Sequence, residues 1–427
     1  MDAKIITYVQ ASITIAIKVQ LQGKSMLEAE EEIQKALNEG GMLLTCEALK
    51  RYDTDGSPLR LGNTKFTSKG LVPKTYQTPY GEVLVERHVY QDSQGGKGYC
   101  PLDHNARIVT TSTPRFAKML AYKYADGGSF KVADDLKISN EREVARSYIQ
   151  NVAEAVGSIA ALKEEKWEYE LPEMDKAVKT ITVGLDGTCM LMLDEGYREA
   201  MAGTLGFYDR DGERMHTIYI GAGPEHGKEK FYAKMEAEIA RVKESYPDAN
   251  YLGLADGDKG NWKFLNRHTD EQILDFWHVS EYLTKAADAI YNDKKQGNKR
   301  KEWLDEKCHN LKHKIGAATR ILHELETLYP RLKGEEKENL ASVITYFRNQ
   351  KGRMRYAQNV EKNIPIGSGV TEAACKVVVK QRLCQSGMKW KEKGTSLVLS
   401  LRCLRLTNGR WEQFWDKIDT TGLPMAA

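Results

Sequence analysis

No two of the chain's seven cysteines form a C-x-x-C pair; they stand at positions 46, 100, 189, 308, 375, 384 and 403. An odd, scattered set excludes a disulfide framework and a cysteine-rich zinc site, and it fits a reducing compartment. No apolar run approaches the roughly 20 residues of a membrane span, so no membrane partner is expected. The stretch YVQASITIAI near the start lacks a basic flank and an A-x-A site, and it does not read as a signal peptide. A cytoplasmic protein is the expectation. Phosphate-binding and dinucleotide-binding glycine patterns are missing, so neither ATP nor NAD is implied. H-E-x-x-H is missing too. Cys308, His309 and His313 share a helical stretch without that motif, which reads as a solvated helix face. Cys100, in CPLDH, stands alone. No aromatic-rich pattern accompanies the acids, which leaves a sugar-cleaving site unsupported.

What is present is a globular composition. The chain has 427 residues, 41% of them apolar, enough for two or three domains. The net charge of +3 says little, but its distribution says more. From Lys351 to Arg410 there are thirteen Lys/Arg against three Asp/Glu. Such a block reads as a solvated face or as a surface for a polyanion.

Residues 1–70 read as an N-terminal helical region, with MLEAEEEIQKALNEG stopped by Gly40-Gly41. Alternation in TPYGEVLVERHVYQD makes 71–112 a small β-rich module. Residues 113–175 are helical, and SFKVADDLKISNEREVARSYIQNVAEAVG has the outline of a helix-turn-helix. There Arg142 and Arg146 would start a recognition helix and meet DNA; an ordinary helical hairpin is the competing reading. Residues 176–282 run as three strands by way of the Asp211-Gly212 hairpin, then helix, strand, helix, strand. That order predicts an α/β RNase H-like domain with a mixed five-stranded sheet. Residues 283–360 are charged and helical, an all-helical insertion, and 361–427 form a C-terminal catalytic segment.

Within that frame, Asp186 closes the strand ITVGLD and Asp256 closes YLGLAD. Acids at strand ends are common turn formers, but at the rim of an open sheet they also gather ligands. The third acid is Glu372, the sole acid in IGSGVTEAACKVVVKQRLCQSGMKW. Lys376, Lys380, Arg382 and Lys389 crowd the same stretch, and Trp390 ends it. Three carboxylates offer hard oxygen ligands suited to Mg²⁺ or Mn²⁺, and a two-ion site would use them to clamp a phosphodiester. The basic residues would then hold DNA phosphates, and Trp390 would stack on an unpaired base.

These pieces together resemble the DDE transposases of bacterial insertion sequences, the ISKra-type branch, distantly similar to Mutator-like transposases. The resemblance rests on GLDGT, LADGDKGNW, ILDFWHVSEYL and GSGVTEAACKVVVKQRLCQSGMKW, and covers about residues 70 to 410. It implies that Asp186, Asp256 and Glu372 are the catalytic and metal-binding triad, with Asp258 an alternative to Asp256. It marks Asp275 and His278 as a D-x-x-H element, of possible catalytic support. It implies two Mg²⁺ or Mn²⁺ ions, double-stranded DNA (transposon ends and target) as partner, and at least a homodimer on DNA. A nuclease that cuts without joining, or a DNA-binding protein that lost catalysis, are the alternatives.

Overall fold

The computed structural model describes residues 3–9, 12–92, 95–96, 98–164, 166–292 and 296–422. The chain divides into two compact units. Residues 1–169, 396–405 and 409–427 make the first, and 170–395 with 406–408 make the second. The expected C-terminal segment 361–427 is therefore split between them.

The first unit opens on strands where a helix was expected. β1 (Ala3–Val9) and β2 (Ser12–Ile17) pair antiparallel. Ile13, Ile15 and Ile17 alternate with smaller residues, and β-branched side chains at every second position favour a pleated strand over a helix. The helix begins later, at α1 (Met26–Lys50), where Ser25 and Glu28 exchange capping hydrogen bonds. It runs through Gly40-Gly41 instead of stopping. A Cβ at Gly40 would come within 2.9 Å of Ile15 and Ile17, and one at Gly41 would enter the Tyr80 ring. These glycines admit neighbours; they do not end the helix.

A three-stranded sheet follows: β3 (Leu59–Leu61), β4 (Thr64–Gln77) and β5 (Glu82–Asp92), all antiparallel. After the short α2 (Pro101–Asn105) come α3 (Pro114–Asp126), α4 (Ser129–Asn140) and α5 (Arg146–Lys163), packed on one another. The α4–α5 connection is residues 141–145, so Arg142 lies before the second helix, not on it. Arg142 is buried, donates to the Thr78 carbonyl and Gln77 Oε1, and lies 5.5 Å from the Phe116 ring centre. It cannot meet DNA from there. Arg146 stays exposed at the start of α5.

The second unit holds a five-stranded sheet of order β10-β9-β6-β7-β8. Its strands are β6 (Thr180–Met192), β7 (Gly196–Tyr208), β8 (Arg214–Ala222), β9 (Asn250–Ala255) and β10 (Glu271–Leu274). β6, β9 and β10 are mutually parallel, while β7 runs antiparallel to both β6 and β8. The Asp211-Gly212 turn forms as expected: Asp209 Oδ1 accepts the N–H groups of Asp211 and Glu213. Helix α6 (Glu229–Ser245) covers one face, where Gly203 lets Met235 and Phe231 approach. Helix α7 (Lys259–His268) links β9 to β10, and α8 (Phe276–Ile290) leaves β10.

Four helices come next: α9 (Gly297–His313), α10 (Ala317–Leu328), α11 (Gly334–Gln350) and α12 (Tyr356–Glu361). Their Trp303, Leu311, Leu325, Leu340 and Phe347 join the sheet's Ile181, Val183, Phe207 and Leu252 in one apolar cluster. They share the sheet's core and do not build a separate one. Helix α13 (Gly369–Ala374) then continues through a π-helical turn at Cys375–Lys380 into α14 (Gln381–Leu383). The last helices are α15 (Glu392–Leu406) and α16 (Arg410–Thr421).

Candidate active site

β6 does not end at Asp186. It stays paired with β7 as far as Met192, because thirteen residues of the two strands match across their connection. What ends near Asp186 is the parallel pairing: β6 and β9 pair from Thr180↔Asn250 to Gly184↔Leu254. Carrying that register two residues further sets Asp186 level with Asp256. Two acids thus stand at matched positions where neighbouring parallel strands part, the place where open sheets leave a crevice.

The electrostatics agree with this placement. Burial pushes the Asp186 carboxyl above its ordinary value, and the charge on Asp256 pushes the same way. The Cys375 thiol, the Gly187 N–H at 2.7 Å and the charge of His278 pull it back. Burial and that same carboxylate push the Cys375 thiol far up, so it is a donor here and not a nucleophile.

Asp256 is exposed, and its Oδ1 accepts the N–H of Asp258 at 3.2 Å. Between them Gly257 has φ +119°, which only glycine adopts without strain. Asp258 is the N-cap of α7 and accepts the N–H of Asn261 at 3.0 Å. That cap engages one oxygen of the Asp258 carboxylate. Tyr346 of α11 stacks on Tyr282 with ring centres 3.6 Å apart, and its hydroxyl reaches the Asp256 carbonyl at 3.4 Å.

Helix α13 lies on the sheet face opposite α6. Gly184 and Thr204, paired across β6 and β7, both meet Thr371. The Thr204 and Thr371 hydroxyls are 2.8 Å apart and buried. Glu372 is the next residue, exposed, with Oε1 accepting the Ser368 hydroxyl at 3.0 Å. Cys375, which meets Asp186, lies three residues on, so Glu372 is a helical neighbour of the Asp186 contact. Among the described residues, however, no three of His, Cys, Asp and Glu already stand as a metal-holding group. Asp186 and Asp256 offer oxygen donors of the kind a hard divalent cation takes, one of them desolvated and repelled by the other.

The D-x-x-H element divides. Asp275 is fully buried and caps α8, so it cannot touch a substrate. His278 is partly exposed, with Nδ1 3.3 Å from Glu281, and faces the site closely enough to act on Asp186.

The basic stretch divides as well. Lys376, Lys380 and Lys389 are exposed. Arg382 is 1% exposed, with its guanidinium 5.0 Å from the Trp390 ring centre. Trp390 gives its indole N–H to the Leu383 carbonyl and its backbone bridges to β6 beside Met192. Both anchor the π-helical segment to the sheet; Arg382 is withdrawn from DNA contact, while Trp390 stays partly exposed. Arg382→Ala should therefore cost roughly 2–4 kcal/mol of unfolding free energy through lost packing. Lys389→Ala should change it by less than about 0.5 kcal/mol. Urea unfolding of both variants checks this.

Sequence reasoning missed Gly184, Ser368, Thr371 and Cys375. Their residue types carry no signal; only the meeting of α13 with β6 and β7 gives them roles. No family model and no curated protein matches the chain.

Proposed function

We propose that the chain is a DDE-type transposase with an RNase H-like catalytic domain, acting through Asp186, Asp256 and Glu372. The observation that carries the reading is the matched placement of Asp186 and Asp256 beyond the last parallel pair of β6 and β9. The strand order with β6, β7 and β8 antiparallel and β9 and β10 parallel to β6 supports the domain type.

In this reading Asp186 and Asp256, joined by Glu372, hold Mg²⁺ or Mn²⁺. The ions would supply Lewis acidity to the scissile phosphate and lower the proton affinity of the attacking hydroxyl. The protein's own part is to orient. Cys375 and the Gly187 N–H direct the Asp186 carboxylate. The Gly257 turn presents Asp256, and Glu372 lies in the first turn of α13. Lys376, Lys380 and Lys389 offer positive charge to the DNA backbone, and Arg146 extends a DNA-facing role to the helices of the first unit. Two DNA ends must be joined to one target, which requires at least two copies on DNA.

The test is a strand-transfer assay with Mg²⁺, using pre-cut DNA ends taken from the sequences flanking the gene. Products covalently linking donor to target are expected. Cleavage without joined products would make the protein a nuclease, and neither activity would remove the enzymatic reading.

A further inference from the structure

Asp275 is an acidic side chain without exposed surface, and the chemistry proposed above leaves it without a task. It directly follows β10, and its N–H donates to the Ala255 carbonyl at the end of β9, at 3.0 Å. Its Oδ1 accepts the N–H groups of Trp277 and His278, at 2.5 and 3.1 Å, which closes the first turn of α8. Its Oδ2 accepts the N–H of Ser368, in the segment that enters α13. Beside it, the Phe276 N–H donates to the Ile366 carbonyl at 3.1 Å. One carboxylate therefore ties the strand carrying the sheet's edge, the start of α8 and the approach to α13. Three backbone donors satisfy acceptors whose burial would otherwise be costly.

Ser368 carries the tie onward. It is 6% exposed, and its carbonyl accepts the N–H groups of Thr371 and Glu372 at 2.7 and 3.0 Å. Its hydroxyl donates to Oε1 of Glu372, which leaves the second oxygen for a cation. The geometry points to Asp275 and Ser368 as a mount that sets the bearing of Glu372. Neither residue touches a reacting atom in this arrangement; both are positioning residues. A glutamate on a helix rim has several rotamers open to it, and a hydrogen bond to one oxygen narrows them before any ligand arrives. The consequence for cation binding rests on the reading of the three acids as ligands, whereas the tie to the backbone stands apart from it.

The full-length protein without DNA provides the test, as wild type, Asp275→Asn, Ser368→Ala and Ser368→Thr. Amide hydrogen exchange reads the backbone tie, and calorimetric titration with Mn²⁺ reads the ligand bearing. Asp275→Asn should speed exchange across residues 368–374 by about 10-fold or more, with β6 and β9 unchanged. Ser368→Ala should keep wild-type exchange but weaken Mn²⁺ binding roughly 10-fold, and Ser368→Thr should restore it. Unchanged exchange in Asp275→Asn overturns the tie. Loss of protection throughout the sheet also overturns it, by making Asp275 a residue of the general fold. Equal or tighter Mn²⁺ binding in Ser368→Ala overturns the role of the hydroxyl. A wild type that binds no Mn²⁺ refutes the transposase reading instead, and the exchange comparison then decides the tie alone.

Discussion

Replacing Asp186 with Asn should abolish strand cleavage and, at neutral pH, raise the melting temperature. The loss of activity should reach at least about a thousandfold, because several kcal/mol of charge stabilisation at the scissile phosphate go with the carboxylate. DNA binding should persist, since the exposed lysines that would meet phosphates are untouched. The gain in stability follows from the raised proton affinity of this carboxyl, whose chief cause is burial and whose second pushing charge is Asp256. A carboxyl that holds its proton more tightly in the folded state than in the unfolded one loses stability as pH rises. The loss begins at the unfolded value near 3.9 and is complete above the folded value. Above the folded value the native protein carries the whole deficit, and an amide carries none. The amide oxygen can still accept the Gly187 N–H, so that local bond survives. Thermal unfolding of both proteins between pH 4 and 7 should show a gap that closes toward the acid end.

The second large effect is expected at a glycine that never touches substrate. A Cβ at Gly184 would fall inside the Thr371 hydroxyl and stand 3.1 Å from the Thr371 Cβ. The obstacle is a β-branched side chain on a short helix, hydrogen-bonded to Thr204 and buried, so it has little room to turn away. Gly184→Ala must therefore push α13 from the sheet. Overpacking of this kind costs about 1–3 kcal/mol. It also shifts Glu372, the next residue after Thr371. Cleavage should fall by about 100-fold, the penalty of a displacement near 1 Å in a positioned catalytic group. Thr371→Ser in the same chain removes the methyl and should recover part of both losses. Chemical denaturation and cleavage rates of the single and double variants measure the effect.

Much of the second unit was legible in advance, for reasons that lie in particular residues. The runs ITVGL and YLGLA are short, apolar and bounded by turn residues, and the Asp211-Gly212 pair marks its hairpin unambiguously. The first unit was harder. Ile13, Ile15 and Ile17 alternate over too short a stretch to outweigh the strong helix beginning at Met26, so strands were read as helix. Gly40-Gly41 looks like a helix stop until Tyr80, forty residues away, is seen to need the space. Charge was read correctly as charge but without its depth. Arg142 and Arg382 look like DNA ligands in the sequence, yet each is buried against an aromatic ring. Asp186 and Asp256 stand out in the sequence because each closes a short apolar run. Ser368, Thr371 and Cys375 do not, because an ordinary serine, threonine or cysteine gains its task only from partners far along the chain, as Thr371 does from Thr204, 167 residues away. Asp275 shows the same limit from the other side: its chemistry invited a catalytic role, and its complete burial gives it a structural one.

The central claim concerns three carboxylates and the cations they would share. A crystal structure of the protein grown with Mn²⁺, with the metal located by its anomalous scattering, tests it most directly. The expected result is manganese bound between Asp186 and Asp256 with Glu372 drawn onto the same site. Manganese elsewhere on the surface, with none at that rim, would contradict it.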